Sequence, residues 1–220
     1  MIKFVPMQVL RISYYDYRYL LLSLSVLVLS SLSANGQATN WELQIDKEGI
    51  KIFSRWKEKT GDHKVREIKA TFTVAAQPEK LIAILKDADK ASDWMVGAKT
   101  SAMLAVHSPK SWYAYTEFDL PWPLQNQDLV ALYKIEPVGS QSTRVNINAH
   151  PDYRPEYDKI ERMQHFEASW TFELLGEGKT RVSYSAFTYR KPSAPRWISD
   201  PVVQNSLWKT MSGFREVAED

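Results

Sequence analysis

Asp152, Glu156, Asp158 and Glu161 form the one local cluster of carboxylates in this 220-residue chain, interleaved with Tyr153, Pro155 and Tyr157 between two strand-like runs. Two neighbouring carboxyls can share general acid and general base duties when their surroundings separate their protonation. The same composition also describes a solvated loop, and the loop is the preferred reading. His63, His107, His150 and His165 show neither HxH nor HxxxH spacing and share no strand face, so no metal site is expected from them. The absence of cysteine excludes disulfides, thiolate nucleophiles, zinc-thiolate and iron-sulfur ligation, and an N-terminal lipid-modified cysteine. The sequence has no GxSxG elbow, P-loop or dinucleotide fingerprint. No catalytic residue, metal or cofactor is predicted. What the chain does offer is apolar and aromatic surface: 44% hydrophobic, 12% aromatic, with eight Trp, eleven Tyr and eight Phe.

The formal charge of +2 would suggest an acidic partner, but it is concentrated at the N-terminus. Lys3, Arg11 and Arg18 precede an apolar run from Leu20 to Leu32, followed by Ser33, Ala34, Asn35 and Gly36. A basic flank, a short apolar core and a small-residue exit predict a cleavable secretory signal peptide over residues 1–36. The run is shorter than the ~20 apolar residues that a transmembrane helix requires. Its removal takes away Lys3, Arg11, Arg18 and Asp16, and with them the whole positive surplus. No basic patch interleaved with aromatics remains, so nucleic acid is not an expected partner. A periplasmic or secreted location is expected.

Residues 40–220 read as one domain without repeats or a linker. Residues 49–56 and 64–74 form a predicted hairpin across the turn at Lys59, Thr60, Gly61 and Asp62. Pro78 opens a helix carrying Leu81, Ile82, Leu85 and Ala88 at helical spacing and ending near Asp93. Strands follow near 100–107, 111–120, 127–136, 142–149, 165–175 and 180–189. In the fifth of these, Phe166, Ala168, Trp170, Phe172 and Leu174 alternate with polar residues, as in a strand with one dry face. Gly176 and Gly178 belong to a hairpin turn. Asp200 and Pro201 are expected to cap and start a long final helix, with Val203, Leu207, Met211, Phe214 and Ala218 on one face and Trp208 widening it. This order predicts an α+β fold, an antiparallel sheet with helices on one side.

Four stretches resemble the START (steroidogenic acute regulatory protein-related lipid transfer) domains of the helix-grip, Bet v 1-like superfamily, in order and across almost all of residues 40–220. They are Trp41 with Asp46 to Phe53; Leu120, Pro121, Trp122, Pro123, Leu124 with Asn126, Gln127, Asp128, Leu129, Val130; Ile160, Glu161, Arg162 with Ala168, Ser169, Trp170; and Ala194, Pro195, Arg196, Trp197, Ile198. The resemblance implies a curved antiparallel sheet wrapped around the long C-terminal helix, with an internal apolar cavity for one lipid or sterol-like molecule. It departs at Gln127, where the family carries arginine, at Ser169 in place of glycine, and at Lys191, Pro192, Ser193 in place of a Pro-Gly-Gly turn. With Gln127, and Tyr133 nearby, the buried acid-base pair of some sterol binders is not reproduced, so sterol selectivity is not implied.

The candidate tunnel lining is Trp94, Met103, Trp112, Tyr115, Phe118, Trp122, Trp170, Trp197, Val203, Leu207, Trp208 and Met211, each of which could equally be plain core. Each methylene buried in such a tunnel is worth ~0.8 kcal/mol. The expected protein is a monomeric carrier or sensor that makes transient membrane contact, its C-terminal helix serving as the lid. A helix-grip enzyme, such as a cyclase or hydrolase, and a protein with a packed interior remain the alternatives.

Overall fold

The computed structural model describes residues 40–58, 64–120, 125–188 and 195–220. The expected leader, the turn at 59–62, His63, Trp122 and Lys191 to Ser193 lie outside the described residues. Ten strands form one sheet: β1 Glu42–Lys47, β2 Ile50–Glu58, β3 Lys64–Val74, β4 Ala98–Ser108, β5 Ser111–Phe118, β6 Gln127–Val138, β7 Ser142–Ala149, β8 Glu161–Arg162, β9 Phe166–Gly176 and β10 Lys179–Thr188. Their order is β1-β2-β3-β10-β9-β7-β6-β5-β4, all neighbours antiparallel, with the two-residue β8 added parallel to β6. The fold is therefore α+β, as expected. β1 was not anticipated as a separate strand. It folds back onto β2 through Glu48 and Gly49, both at positive φ, 53° and 73°, a turn whose twist suits a hairpin.

Strand register places inward-facing side chains in transverse rows. One runs Ile52, Ala70, Tyr184, Trp170, Val145 and Ile135; the next runs Ser54, Ile68, Ala186, Ala168, Ile147, Tyr133 and Trp112. Alternation with period two sends the intervening residues, such as Lys69, Ser185 and Ser169, to the opposite face. There Lys69 sits over the rings of Trp41 and Phe53, and Arg55 over Trp41. The Lys69 ammonium pKa is lowered, first by burial and then by Arg55 beside it.

Helix α1 spans Pro78–Lys86 and buries Pro78, Leu81 and Leu85. The sequence predicted one helix to Asp93; instead the Asp87 amide closes α1 on the Ala83 carbonyl, Asp87 leaves helical geometry at ψ 68°, and a 3-10 helix covers Ala88–Asp93. This break delivers Ala88, Ala91 and Trp94 to the interior.

Helix α2 spans Arg196–Glu219, beginning five residues before the expected start. The carbonyl of Pro195 accepts from the amides of Ile198 and Ser199 at 2.9 and 3.1 Å, which starts the helix there. Pro201 thus lies inside the second turn, where its missing N–H leaves the Trp197 carbonyl without a helical donor. Asp200 pairs with Arg66 and Arg196 instead of capping.

The C-terminal half of α2 is tied to both sides of the body. Trp208 Nε1 donates to the Lys47 carbonyl at 3.2 Å, Arg215 to the Glu48 carbonyl at 2.7 Å, and the Val96 amide to Thr210 Oγ1 at 3.1 Å. Gly213 faces the backbone of Trp94, where a Cβ would stand 2.9 Å from the Trp94 carbonyl oxygen, so only glycine allows this approach. The N-terminal half has a sparser attachment: Gln204 donates to Gln44 at 3.2 Å, and Arg66 stands 3.8 Å from Asp200.

Candidate functional site beneath the C-terminal helix

The concave interior has two unlike ends. Under the C-terminal half of α2, Ile50, Phe72, Phe172, Val182, Met211, Phe214 and Ala218 are all at most 4% exposed. Trp94 packs edge-on against Phe214 and Trp170, with ring centroids 5.1 and 6.2 Å apart, and closes this end. It is packed core. Under the N-terminal half, the inward residues Ile68, Met103, Tyr133, Ala149, Phe166, Tyr184 and Leu207 are only partly buried. Small side chains make up much of the floor here: Ser54, Ala114, Ala131, Ala168 and Ala186.

Tyr133 and Tyr184 show what lies between floor and helix. Burial raises the Tyr133 phenol to a pKa of about 12; Tyr184 is raised as well, first by burial and then by Tyr133 beside it. Both nevertheless keep accessible surface. Both are inward-facing side chains packed against the core that their neighbours do not fully cover. Both phenols are neutral at physiological pH, as an ordinary tyrosine is, and each can donate and accept a hydrogen bond. Tyr133 stacks on Trp112 at 5.1 Å, and Tyr184 lies 4.8 Å from Trp170, forming two aromatic pairs along this wall. The indole N–H groups of Trp94 and Trp112 are buried without hydrogen-bond partners.

Two open clefts border α2, one at its N-terminal half and one at mid-helix. One of about 390 Å³ is lined by Gln44, Trp56, Arg66, Arg196, Trp197, Asp200, Pro201 and Gln204. The other, of about 360 Å³, lies among Val96, Gly97, Asp119, Leu120, Ser206 and Lys209.

The residues selected from sequence distribute unevenly over this geometry. Trp94, Trp170 and Met211 are buried in the packed end, while Met103, Phe118, Leu207 and Trp208 are partly buried against the core. Trp112 is buried beside Tyr133. Three expectations are corrected among the described residues. Trp197 is 79% exposed and Val203 43% exposed, so neither is enclosed between helix and sheet. Tyr115 alternates with Trp112 and Ala114, which puts it on the opposite face of β5, edge-on to Tyr157. Its phenol pKa is raised to about 12, by burial first and then by the Asp128 charge. Sequence reading did not select Tyr184, Ile68, Phe166 and Arg66; their signal is the inward alternation along β3, β9 and β10.

The acidic cluster belongs to the convex side. Asp152, Glu156 and Asp158 are exposed and Glu161 is half-buried in β8. The segment carrying them is held down by Arg162, which pairs with Asp128 through two bonds of 2.6 and 3.0 Å and donates to the carbonyls of Pro151, Arg154 and Pro155. Asp128 and Arg162 thus have a structural role in the motifs that contain them. No group of three or more metal-ligating side chains occurs among the described residues.

No family model matches the sequence. An uncharacterized protein of Pseudomonas aeruginosa is 23% identical over 188 residues, covering 86% of this chain and 91% of that protein. Among solved structures, the STAR-related lipid transfer protein fragment from Xanthomonas axonopodis is 25% identical and superposes with a TM-score of 0.72 over 82% of this chain and 99% of its own. Human STARD10 is 20% identical, with a TM-score of 0.65, over 96% of this chain and 80% of its own. Human StAR-related lipid transfer protein 5 is 10% identical, with a TM-score of 0.66, over 94% of this chain and 98% of its own. The ten-stranded sheet closed by a long C-terminal helix is accordingly the START, or StAR-related lipid transfer, form of the helix-grip fold.

Proposed function

We propose that the protein carries one lipid or similarly apolar molecule in the space beneath the N-terminal half of α2, as a monomer, without chemical turnover, outside the cytoplasm after loss of residues 1–36. The observation that carries this reading is the contrast along α2: its C-terminal half lies on dry core, whereas its N-terminal half lies over partly accessible, inward-facing residues and borders an open cleft. The names of the structural neighbours support lipid as the ligand class. The two inward rows described above contain no His, Asp or Glu, which supports binding over acid-base catalysis.

In this account the N-terminal half of α2 is the lid. Among the described residues its polar ties to the body are the Gln204–Gln44 hydrogen bond, the Arg66–Asp200 pair at 3.8 Å and the Arg196 guanidinium over the Trp56 ring. Trp197, almost fully exposed at its start, suits the membrane-water interface, where tryptophan places an apolar ring beside a polar N–H. Closure over an acyl chain would gain ~0.8 kcal/mol per methylene removed from water. The mature protein, incubated with mixed phospholipid vesicles containing a pyrene-labelled acyl chain and then separated from them, is expected to retain one label per chain; the absence of retained label would refute the carrier reading.

A further inference from the structure

The cleft on the β1–β3 side of the lid contains an arginine with unused donors. Arg66 belongs to the inward-facing file of β3, two residues before Ile68 and four before Ala70. Its Nη2 donates to Ser54 Oγ at 2.6 Å. Its Nε is buried without a partner. Its Nη1 reaches only to 3.8 Å from Asp200 on the lid. A guanidinium has five donors in a rigid planar fork that matches a carboxylate or phosphate. Arg196, on the lid itself, stands 3.5 Å from the same Asp200, and both guanidiniums lie over the Trp56 ring, at 5.3 and 4.8 Å from its centroid. Two cations thus face one anion, at long range, in an open cleft of about 390 Å³.

We propose that this cleft is a head-group subsite for an anionic amphiphile, with the carboxylate or phosphate on Arg66 and Arg196 and the apolar body running inward over Ile68. The proposal rests on the carrier reading and adds the class of ligand. Geometry supports the continuity: two residues along a strand span ~7 Å, so a head on Arg66 places the first methylenes over Ile68 and Ala186. Because the cleft is open, the anion keeps part of its hydration and avoids the cost of burying a charge. Asp200 is then a rival acceptor, holding Arg66 loosely from the lid until a ligand anion takes its place.

The test compares oleate with methyl oleate, which share a chain and differ in the charged head, titrated into the mature protein with tryptophan emission as the readout. Oleate is expected to bind at least ~10-fold tighter, a difference of ~1.4 kcal/mol. Arg66→Gln should bring oleate close to the affinity of methyl oleate and change methyl oleate far less, with far-UV circular dichroism verifying that the variant is folded. Asp200→Asn, which removes the rival acceptor on the lid, should tighten oleate several-fold and provides the test if Arg66→Gln does not fold. Equal binding of the two ligands, with neither substitution affecting oleate, would overturn the head-group subsite while leaving the carrier reading intact. If neither ligand binds, both fail. Binding of inorganic phosphate alone, abolished by Arg66→Gln, with no oleate binding, would identify a free-anion site and overturn the amphiphile proposal.

Discussion

Phe214→Ala is expected to destabilise the protein by about 3–5 kcal/mol, the usual cost of deleting a buried phenyl ring. Phe214 is fully buried and packs against Trp94 and Trp170, with centroids 5.1 and 4.6 Å away. Removing the ring separates three elements at once: α2, the segment after α1, and β9. With total stabilities commonly of about 5–15 kcal/mol, such a loss is a large share of the whole. Urea unfolding should show a lower midpoint at nearly unchanged slope. Val203→Ala, on the exposed face of the same helix, should stay within about 0.5 kcal/mol of the parent. A similar loss at both positions would contradict the division of α2 into an anchored half and a lid.

The second large effect is predicted at Asp128. Asp128→Ala leaves the Arg162 guanidinium, whose side chain is 0% exposed, without its carboxylate and with only three backbone carbonyls as acceptors. Breaking a buried pair from one side costs about 3–5 kcal/mol, because the remaining charge is uncompensated. The pair lies under a single layer of chain, residues 151–162, and relaxation of that layer should bring the loss to the lower end, about 3 kcal/mol. Asp128→Ala combined with Arg162→Met should recover much of it, since no buried charge remains. Thermal or urea unfolding of the three variants checks this. A double variant less stable than Asp128→Ala would show that Arg162 works mainly through the carbonyls of the 151–162 segment.

Much of this architecture is legible in the sequence, for reasons visible in particular residues. Ala168, Trp170 and Phe172 alternate cleanly with polar neighbours because β9 has a single dry face in the middle of the sheet. Met211, Phe214 and Ala218 keep helical spacing because their half of α2 lies on packed core. Periodicity was misleading wherever a strand is covered on both sides or a helix on neither. β5 carries Trp112 inward and Tyr113 and Tyr115 outward, and the outward rings are covered by Tyr153 and Tyr157 of a loop that local sequence does not announce. Trp197 has the composition of a core residue but is 79% exposed at the start of the helix. The start of α2 was misplaced because Asp200 and Pro201 have the types of a cap and a first turn, while Asp200 is engaged by Arg66 of β3 and by Arg196 one turn earlier in the helix. Arg66 was invisible for a related reason: its meaning comes from facing Asp200 across the cleft, which only the fold brings about.

The central proposal, that an apolar ligand is held under the N-terminal half of α2, is tested most directly by native mass spectrometry of the protein recovered from its own cells and their surrounding compartments, with organic extraction of whatever it carries. The predicted spectrum shows a single chain lacking residues 1–36 together with one adduct of lipid mass, and the extract contains the same species. A chain that is recovered bare, and stays bare after exposure to mixed lipid vesicles, would contradict the account.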